Sequence, residues 1–397
     1  MRQTGIVSCY FKHNYGSMLQ AYATQMALDK LGIENETINI SGISKNIKLS
    51  KMIYFAKMSL TSDILFQKKG MLFNKFKKKL NRSEYAELSK VRDEEFNLFE
   101  KEKFRLSPAY KSKNELSDSC GRKYDCILVG SDQLWLPANI AGDYYTLNFV
   151  PKTVNSISYS TSFGMENLPK DIKNKAAFFL NKIRHISVRE ESGQRIVYEL
   201  TGRKVPIVCD PTLLLDENEW IELIKDEKEK PNDKYILCYF LGKNEYARRF
   251  AERLKEITGY KIISIAHMDE YIKMDDIYSD EIPYNTNPMD FLNLIKNAEY
   301  VCTDSFHCSV FSMHFRKIFF AFRRYTKNTK QSTNNRLDNL FNLVKIDNRI
   351  QEGNNTVEEA LKYKIDYENV HRNLDELRKV SFEYLKKAIF DNGSTDL

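Results

Sequence analysis

The densest group of chemically able side chains is Thr303-Asp304-Ser305-Phe306-His307, which follows the apolar run Tyr300–Thr303 and opens a stretch with helical spacing. Polar groups and an imidazole at a helix N-terminus suit an anionic ligand and proton transfer, because unpaired N–H groups and the helix dipole favour negative charge there. The same residues could also be a helix cap, Asp304 or Ser305, with a packed histidine. Arg189 lies between Ile186-Ser187-Val188 and Glu190-Glu191-Ser192. A guanidinium there could clamp a carboxylate or phosphate through two parallel bonds, or pair with Glu190, Glu191 or Glu219. Arg336 heads a helical pattern (Leu337, Leu340, Phe341, Val344) and reads as a second anion contact or a surface charge. Asp132 and Trp135 follow another apolar run: a carboxylate beside an indole can hold a sugar, and a capped turn with a core tryptophan is the alternative. Cys302 and Cys308 flank His307, but no second pair completes a zinc site. There is no P-loop, no G-x-G-x-x-G after a strand, no G-x-S-x-G and no H-E-x-x-H.

These residues need a scaffold, and the chain alternates between strand and helix patterns. Gly5–Tyr10 reads as a strand, Leu19, Ala23, Ala27 and Leu31 mark a helix stopped by Gly32, and Thr37–Ile40 starts a second strand. Between the first strand and helix lies His13-Asn14-Tyr15-Gly16-Ser17, where an open α/β sheet places ligands; Ser17 could cap the helix and Gly16 allows close backbone approach. Further strands are expected at Cys126–Val129, Val154–Ser160, His185–Val188 and Val205–Cys209. A second set follows the charged linker Asp226–Asp233, at Tyr235–Phe240, Lys261–Ala266, Tyr300–Thr303 and Lys317–Phe322, with helices between. Alternation of this kind predicts parallel sheets buried on both faces, in two Rossmann-like domains facing a cleft.

The chain has 397 residues, 42% hydrophobic and 29% charged, which fits a globular protein of two domains and excludes disorder and collagen. No run of apolar residues is long enough for a membrane span, and the N-terminus does not read as a signal peptide. Seven cysteines without regular spacing fit reduced thiols in a cytoplasmic protein. The net charge of +7 is local: Lys45–Arg82 holds eleven Lys or Arg and one acid, Asp63, so the remainder is slightly negative. Nucleic acid is therefore not the expected partner. That stretch is part of a helical insertion, residues 44–115. It reads either as a solvated insertion or as a basic amphipathic surface on anionic lipid, with Tyr54, Phe55, Leu65, Phe66, Leu72, Phe73 and Phe76 as its apolar mass.

Taken in order, the motifs resemble the polysaccharide pyruvyl transferase family. The match runs through His13–Ser17 with Leu19-Gln20-Ala21-Tyr22, Gly130-Ser131-Asp132-Gln133-Leu134-Trp135 and Tyr159-Ser160-Thr161-Ser162-Phe163-Gly164. It continues through Ser187–Ser192, Asp210-Pro211-Thr212-Leu213-Leu214, Asp304–His307 and Asn335-Arg336. It spans about residues 5–345 and leaves out the insertion and the C-terminal tail. The resemblance implies a GT-B-like α/β fold: an N-terminal Rossmann-type domain (1–215) on the acceptor side and a second (216–350) on the phosphoenolpyruvate side; beyond it, the helical stretch Leu374–Ile389 predicts a tail (351–397) packing back across both. It implies transfer of the enolpyruvyl carbons of phosphoenolpyruvate to a sugar of a cell-surface polysaccharide precursor, often lipid-linked, as a pyruvate ketal, without an organic cofactor or a metal. His307 and Asp132 would be catalytic, Arg189, Ser305 and Arg336 would bind the donor, and Asn14, Tyr15, Gly16, Gln133 and Trp135 the acceptor. Some members carry Arg where this chain has Ser305, so Arg336, Arg323 or Arg324 must supply that cation. The implied location is cytoplasmic, at the inner face of the cell membrane. The rivals are a GT-B glycosyltransferase using a nucleotide sugar and a non-catalytic glycan-binding relative.

Overall fold

The computed structural model describes residues 3–58, 83–225, 233–267, 271–324, 335–353 and 355–391. Two five-stranded sheets carry the chain. The first contains β1 (Gln3–Val7), β2 (Glu34–Thr37), β3 (Cys126–Asp132), β4 (Asn155–Thr161) and β5 (His185–Val188), in the spatial order β2-β1-β3-β4-β5. The second contains β6 (Tyr235–Tyr239), β7 (Lys261–Ser264), β8 (Tyr300–Thr303), β9 (Ile318–Phe322) and β10 (Ile350–Gln351), ordered β10-β9-β8-β6-β7. Every pairing in both sheets is parallel. Parallel strands need helical crossovers, which cover both faces, so central strands must be apolar or internally bonded throughout. That is why every residue of β4 and of β6 is buried. The expected α/β arrangement, two Rossmann-type sheets with a GT-B-like layout, is what the chain adopts.

In each sheet the strand order reverses once: between β1 and β3, and between β6 and β8. Ligands of open parallel sheets bind outside the carboxyl ends of the strands at such points. Asn14–Ser17 and Asp132 follow β1 and β3, while Leu241-Gly242 and Asp304–His307 follow β6 and β8.

Some expected elements differ. Val205–Cys209 is not a full strand: Ile207 alone bridges to Val188, because Pro206 has no N–H to extend the ladder and Asp210-Pro211 turns the chain at once. The second strand ends at Thr37 instead of beginning there, and β10 carried no sequence signal because only two residues pair. Within the insertion Ser44–Met58 and Ser83–Lys103 are helical, but residues 104–112 are not, and Leu106 bridges Thr37 in parallel beside β2; residues 59–82 lie outside the described residues. Among the described residues no helix is long and apolar enough to cross a membrane.

The two sheets are joined by specific contacts. Tyr15 is fully buried, stacks on Phe291 at 4.5 Å and donates to the Thr286 carbonyl at 3.1 Å. Arg92, from the Ser83–Lys103 helix, donates to the carbonyls of Ala266 at 3.1 Å and His267 at 3.5 Å. The last helix, Tyr367–Phe390, caps Val344 O through Asn373 at one end. Near the other end Tyr384 donates to Ser158 O at 2.9 Å and Ala388 O accepts from Asn155 at 2.7 Å.

Candidate active site

Four loops at the strand ends meet in one charged cluster. Asp132 ends β3 with φ at +73°, a left-handed conformation that costs a non-glycine residue free energy and turns the carboxylate out of the sheet. Its Oδ2 accepts from Ser17 Oγ at 2.9 Å and faces the Cys9 thiol at 3.8 Å. Burial alone would raise the Asp132 carboxyl, but Arg189, Arg336, His307 and Lys12 outweigh it and hold it well below the usual carboxylate range. Asp132 is therefore an anion at all physiological pH values.

Arg189 follows β5 and is almost fully buried. Its Nη1 donates to Asp210 Oδ2 at 2.9 Å and its Nε to Glu190 Oε2 at 3.4 Å, while Nη2 is shielded from solvent without a hydrogen-bond partner. Burial opposes its charge, but Glu190, Asp210 and Asp132 raise its pKa above the ordinary arginine value. Arg336 opens the Asn335–Val344 helix, half-buried, with Nε shielded and unpartnered. Burial and the charge of Arg189 lower it to about 10, still a cation at neutral pH. Both guanidinium groups lie over the Phe306 ring, at 4.9 Å and 5.2 Å from its centroid. The ring's negative face offsets part of their mutual repulsion.

His307 lies in the first turn of the Phe306–His314 helix and is 6% exposed. On one side it packs against Gly16: a Cβ at that position would fall 2.0 Å from Nδ1. Glycine is thus a steric requirement at this domain contact. On the other side Nε2 is 3.7 Å from Asp210 Oδ1 and makes no hydrogen bond. Nε2 is thus shielded from solvent and faces Asp210.

The remaining sequence candidates divide. Asn14, half-buried, caps the first helix by accepting from Ser17 N at 3.1 Å; Ser17, the expected cap, instead binds Asp132. Gln133 is half-buried next to Asp132, with Nε2 shielded and unpartnered. Trp135 offers no stacking face for a sugar: it is 0% exposed, packed against Phe163 and Phe179, and its indole N–H is spent on Tyr145 O. Tyr15 is likewise withdrawn from any acceptor by its role between the sheets. Ser305 caps its helix, with Oγ accepting from Cys308 N at 3.4 Å, and is not free to replace an arginine. Of the cations considered for that role, Arg323 is consumed by Asp338 and Glu352. Arg324 has a shielded Nε 3.9 Å from Asp304 and, like Arg189, lowers the pKa of Arg336.

The cluster joins two guanidinium groups, each with a shielded, unpartnered nitrogen, to an ionised carboxylate at two strand-order reversals. A family model described as polysaccharide pyruvyl transferase matches residues 14–324, which include Ser17, Asp132, Arg189, Glu190, Asp210 and His307 but not Arg336. The chain belongs to the polysaccharide pyruvyl transferase family. Pyruvyl transfer in polysaccharide synthesis is accordingly the activity of its family. A search of curated proteins finds no match. Among solved structures, the UDP-GlcNAc 2-epimerase of Neisseria meningitidis bound to UDP-GlcNAc overlaps with a TM-score of 0.48 at 10% identity, covering 98% of this chain and 94% of the other. The Methanocaldococcus jannaschii UDP-GlcNAc 2-epimerase in complex with UDP-GlcNAc and UDP gives 0.44 at 14% identity, covering 98% and 99%. The ADP-heptose heptosyltransferase II of E. coli gives 0.36 at 9% identity, covering 96% and 99%. Overlaps below 0.5 bear on neither substrate nor chemistry.

Two partners in the cluster escaped the sequence reading, Asp210 and Ser17 as a ligand of Asp132; Glu190 is one of the acids expected beside Arg189. Asp210-Pro211 reads as a strand-ending turn, and it is one, since Asp210 Oδ1 accepts from Thr212 N at 3.1 Å. Its second oxygen does the rest, and no local spacing announces that.

Proposed function

We propose that this transferase moves the enolpyruvyl carbons of phosphoenolpyruvate to two hydroxyls of a saccharide acceptor, releasing phosphate. The observation that carries this reading is the convergence of Arg189 and Arg336 on Phe306 beside the unpartnered Nε2 of His307. Phosphoenolpyruvate presents a carboxylate and a phosphate on one carbon, and two guanidinium groups, with Nη2 of Arg189 and Nε of Arg336 unpartnered, answer two anionic groups. A proton from the His307 imidazole adds to the methylene carbon and leaves a positive centre on its neighbour. The first sugar oxygen bonds there, the carbon–oxygen bond to phosphate breaks, and the second hydroxyl closes the ketal. Of the two hydroxyl protons, one replaces that given by His307 and the other leaves with phosphate. Asp132, held ionised, orients the acceptor hydroxyl and accepts its hydrogen bond. Arg324, with Nε 3.9 Å from the neighbouring Asp304, supplies the cation that the Ser305 position lacks. No organic cofactor or metal enters this scheme.

The test is release of inorganic phosphate from phosphoenolpyruvate across a panel of saccharide acceptors, with the product examined by mass. We expect acceptor-dependent phosphate release and a product heavier by a pyruvate ketal. Transfer from a nucleotide sugar without phosphoenolpyruvate turnover would overturn the reading.

We further propose that the acceptor is met at an anionic membrane face. The Ser44–Met58 helix carries Lys45, Lys48, Lys51 and Lys57 without an acid, and exposes Leu49 at 56%, Met52 at 68% and Ile53 at 49%. Ile47 and Lys51 pack it against Gly142, in the segment that follows the Asp132–Trp135 loop. Exposed apolar side chains with neighbouring lysines suit the headgroup region of anionic lipid. The protein is expected to sediment with vesicles containing phosphatidylglycerol at low salt. Changing Lys45, Lys48 and Lys57 to Gln should weaken this about a hundredfold, at about 1 kcal/mol per lysine. Equal sedimentation with pure phosphatidylcholine would contradict it.

A further inference from the structure

Asp210 is the most heavily bonded carboxylate in the cluster. It is 1% exposed at the start of the short Pro211–Leu213 turn, in the segment between the two sheets. Oδ1 accepts from Thr212 N at 3.1 Å and Thr212 Oγ1 at 2.8 Å; Oδ2 lies 3.0 Å from Ser131 Oγ and 2.9 Å from Arg189 Nη1. Oδ1 is also 3.7 Å from His307 Nε2, across the domain contact. Glu190 already faces Arg189, so neutralising that arginine does not require a second buried carboxylate. A buried carboxylate is costly unless bonded on all sides, and this one directs its remaining charge at the imidazole.

We propose that Asp210 is a positioning residue: held by Thr212 and Ser131, it fixes the Arg189 fork and holds the His307 ring by its Nε2 edge. This rests on the donor reading above for its kinetic consequence, but not for its geometry. Burial would raise the Asp210 carboxyl, yet His307 facing it at 3.7 Å, with Arg189 and the Thr212 N–H, holds it far below the usual range. It stays an anion throughout the cycle. With Gly16 packed against the Nδ1 edge and Asp210 facing Nε2, rotation of the ring is restrained from both sides.

The test is Asp210→Asn, alone and combined with His307→Ala, read in two ways. In turnover we expect kcat to fall about tenfold to hundredfold, as for a catalytic group set slightly out of place, and KM for phosphoenolpyruvate to rise. In the His307→Ala background the same change should lower kcat by less than about threefold, because the two act as a unit. Without substrate, the ring signals of His307 in nitrogen-15 histidine-labelled protein, identified by their absence in His307→Ala, should shift in Asp210→Asn while those of the other five histidines stay. Unmoved His307 signals, or fully additive losses, would overturn the proposal. Shifted signals in a protein that never turns over phosphoenolpyruvate would uphold the positioning role and reject the donor reading. Should Asp210→Asn fail to fold, Thr212→Val decides: it removes one donor to Oδ1 and keeps the charge. A smaller shift of the same signals supports the proposal, and no shift overturns it.

Discussion

His307→Ala is expected to lose about a thousandfold in turnover, measured as acceptor-dependent phosphate release, while melting as cooperatively as the native protein. General acid catalysis contributes about 10²–10⁴ to rates, and the donor scheme gives the proton transfer to this ring alone. Two features keep the expected result specific. Nε2 has no hydrogen-bond partner, so truncation deletes no native hydrogen bond there. The ring nevertheless fills the space against Gly16, so some packing is lost at the domain contact. Binding of phosphoenolpyruvate should persist within about tenfold, since the guanidinium groups remain. A variant retaining more than about a tenth of the native rate would remove His307 from the role of acid.

Arg189→Ala is expected to abolish detectable phosphoenolpyruvate binding. Arg189 is the only one of the two arginines over Phe306 that also holds Asp210 and Glu190. Its removal takes away a donor contact and leaves two buried carboxylates without their cation. Breaking a buried pair in this way costs about 3–5 kcal/mol, so a lower melting temperature is part of the expectation. Arg189→Lys separates the effects: it keeps a charge but not the planar fork. That variant should recover much of the melting temperature and little of the donor affinity. Native affinity in Arg189→Lys would mean that a point charge suffices and that bidentate recognition is not what the site provides.

How much of this was legible in the sequence follows from range. β5 and β8 could be read to the residue because short β-rich runs bounded by helical patterns are local signals. The Val205–Cys209 segment misled because its apolar composition suits a strand, while Pro206 and the Asp210-Pro211 turn permit one bridge only. At the site, residue type identified His307, Arg189, Asp132 and Arg336 as chemically able. It could not say which aromatic residues face a ligand: Trp135 and Tyr15 look the same as stacking platforms or as core, and tertiary packing placed both in the core. Partners escaped for the same reason. Ser17 and Asp132 are 115 residues apart, and their bond exists only because β1 and β3 are neighbours. Asp210 could be read as a cap, but its link from Arg189 to His307 joins elements of both sheets. The family's motif order pointed to these positions together, which single spacings did not.

The central claim is that the Arg189–Arg336–His307 cluster is a phosphoenolpyruvate site. Calorimetric titration of the purified protein with phosphoenolpyruvate, UDP and GDP tests it most directly. We expect saturable binding of phosphoenolpyruvate that disappears in Arg189→Ala, and none of either nucleotide. Binding of UDP or GDP without phosphoenolpyruvate would contradict the account and make this member of the fold a nucleotide-sugar enzyme.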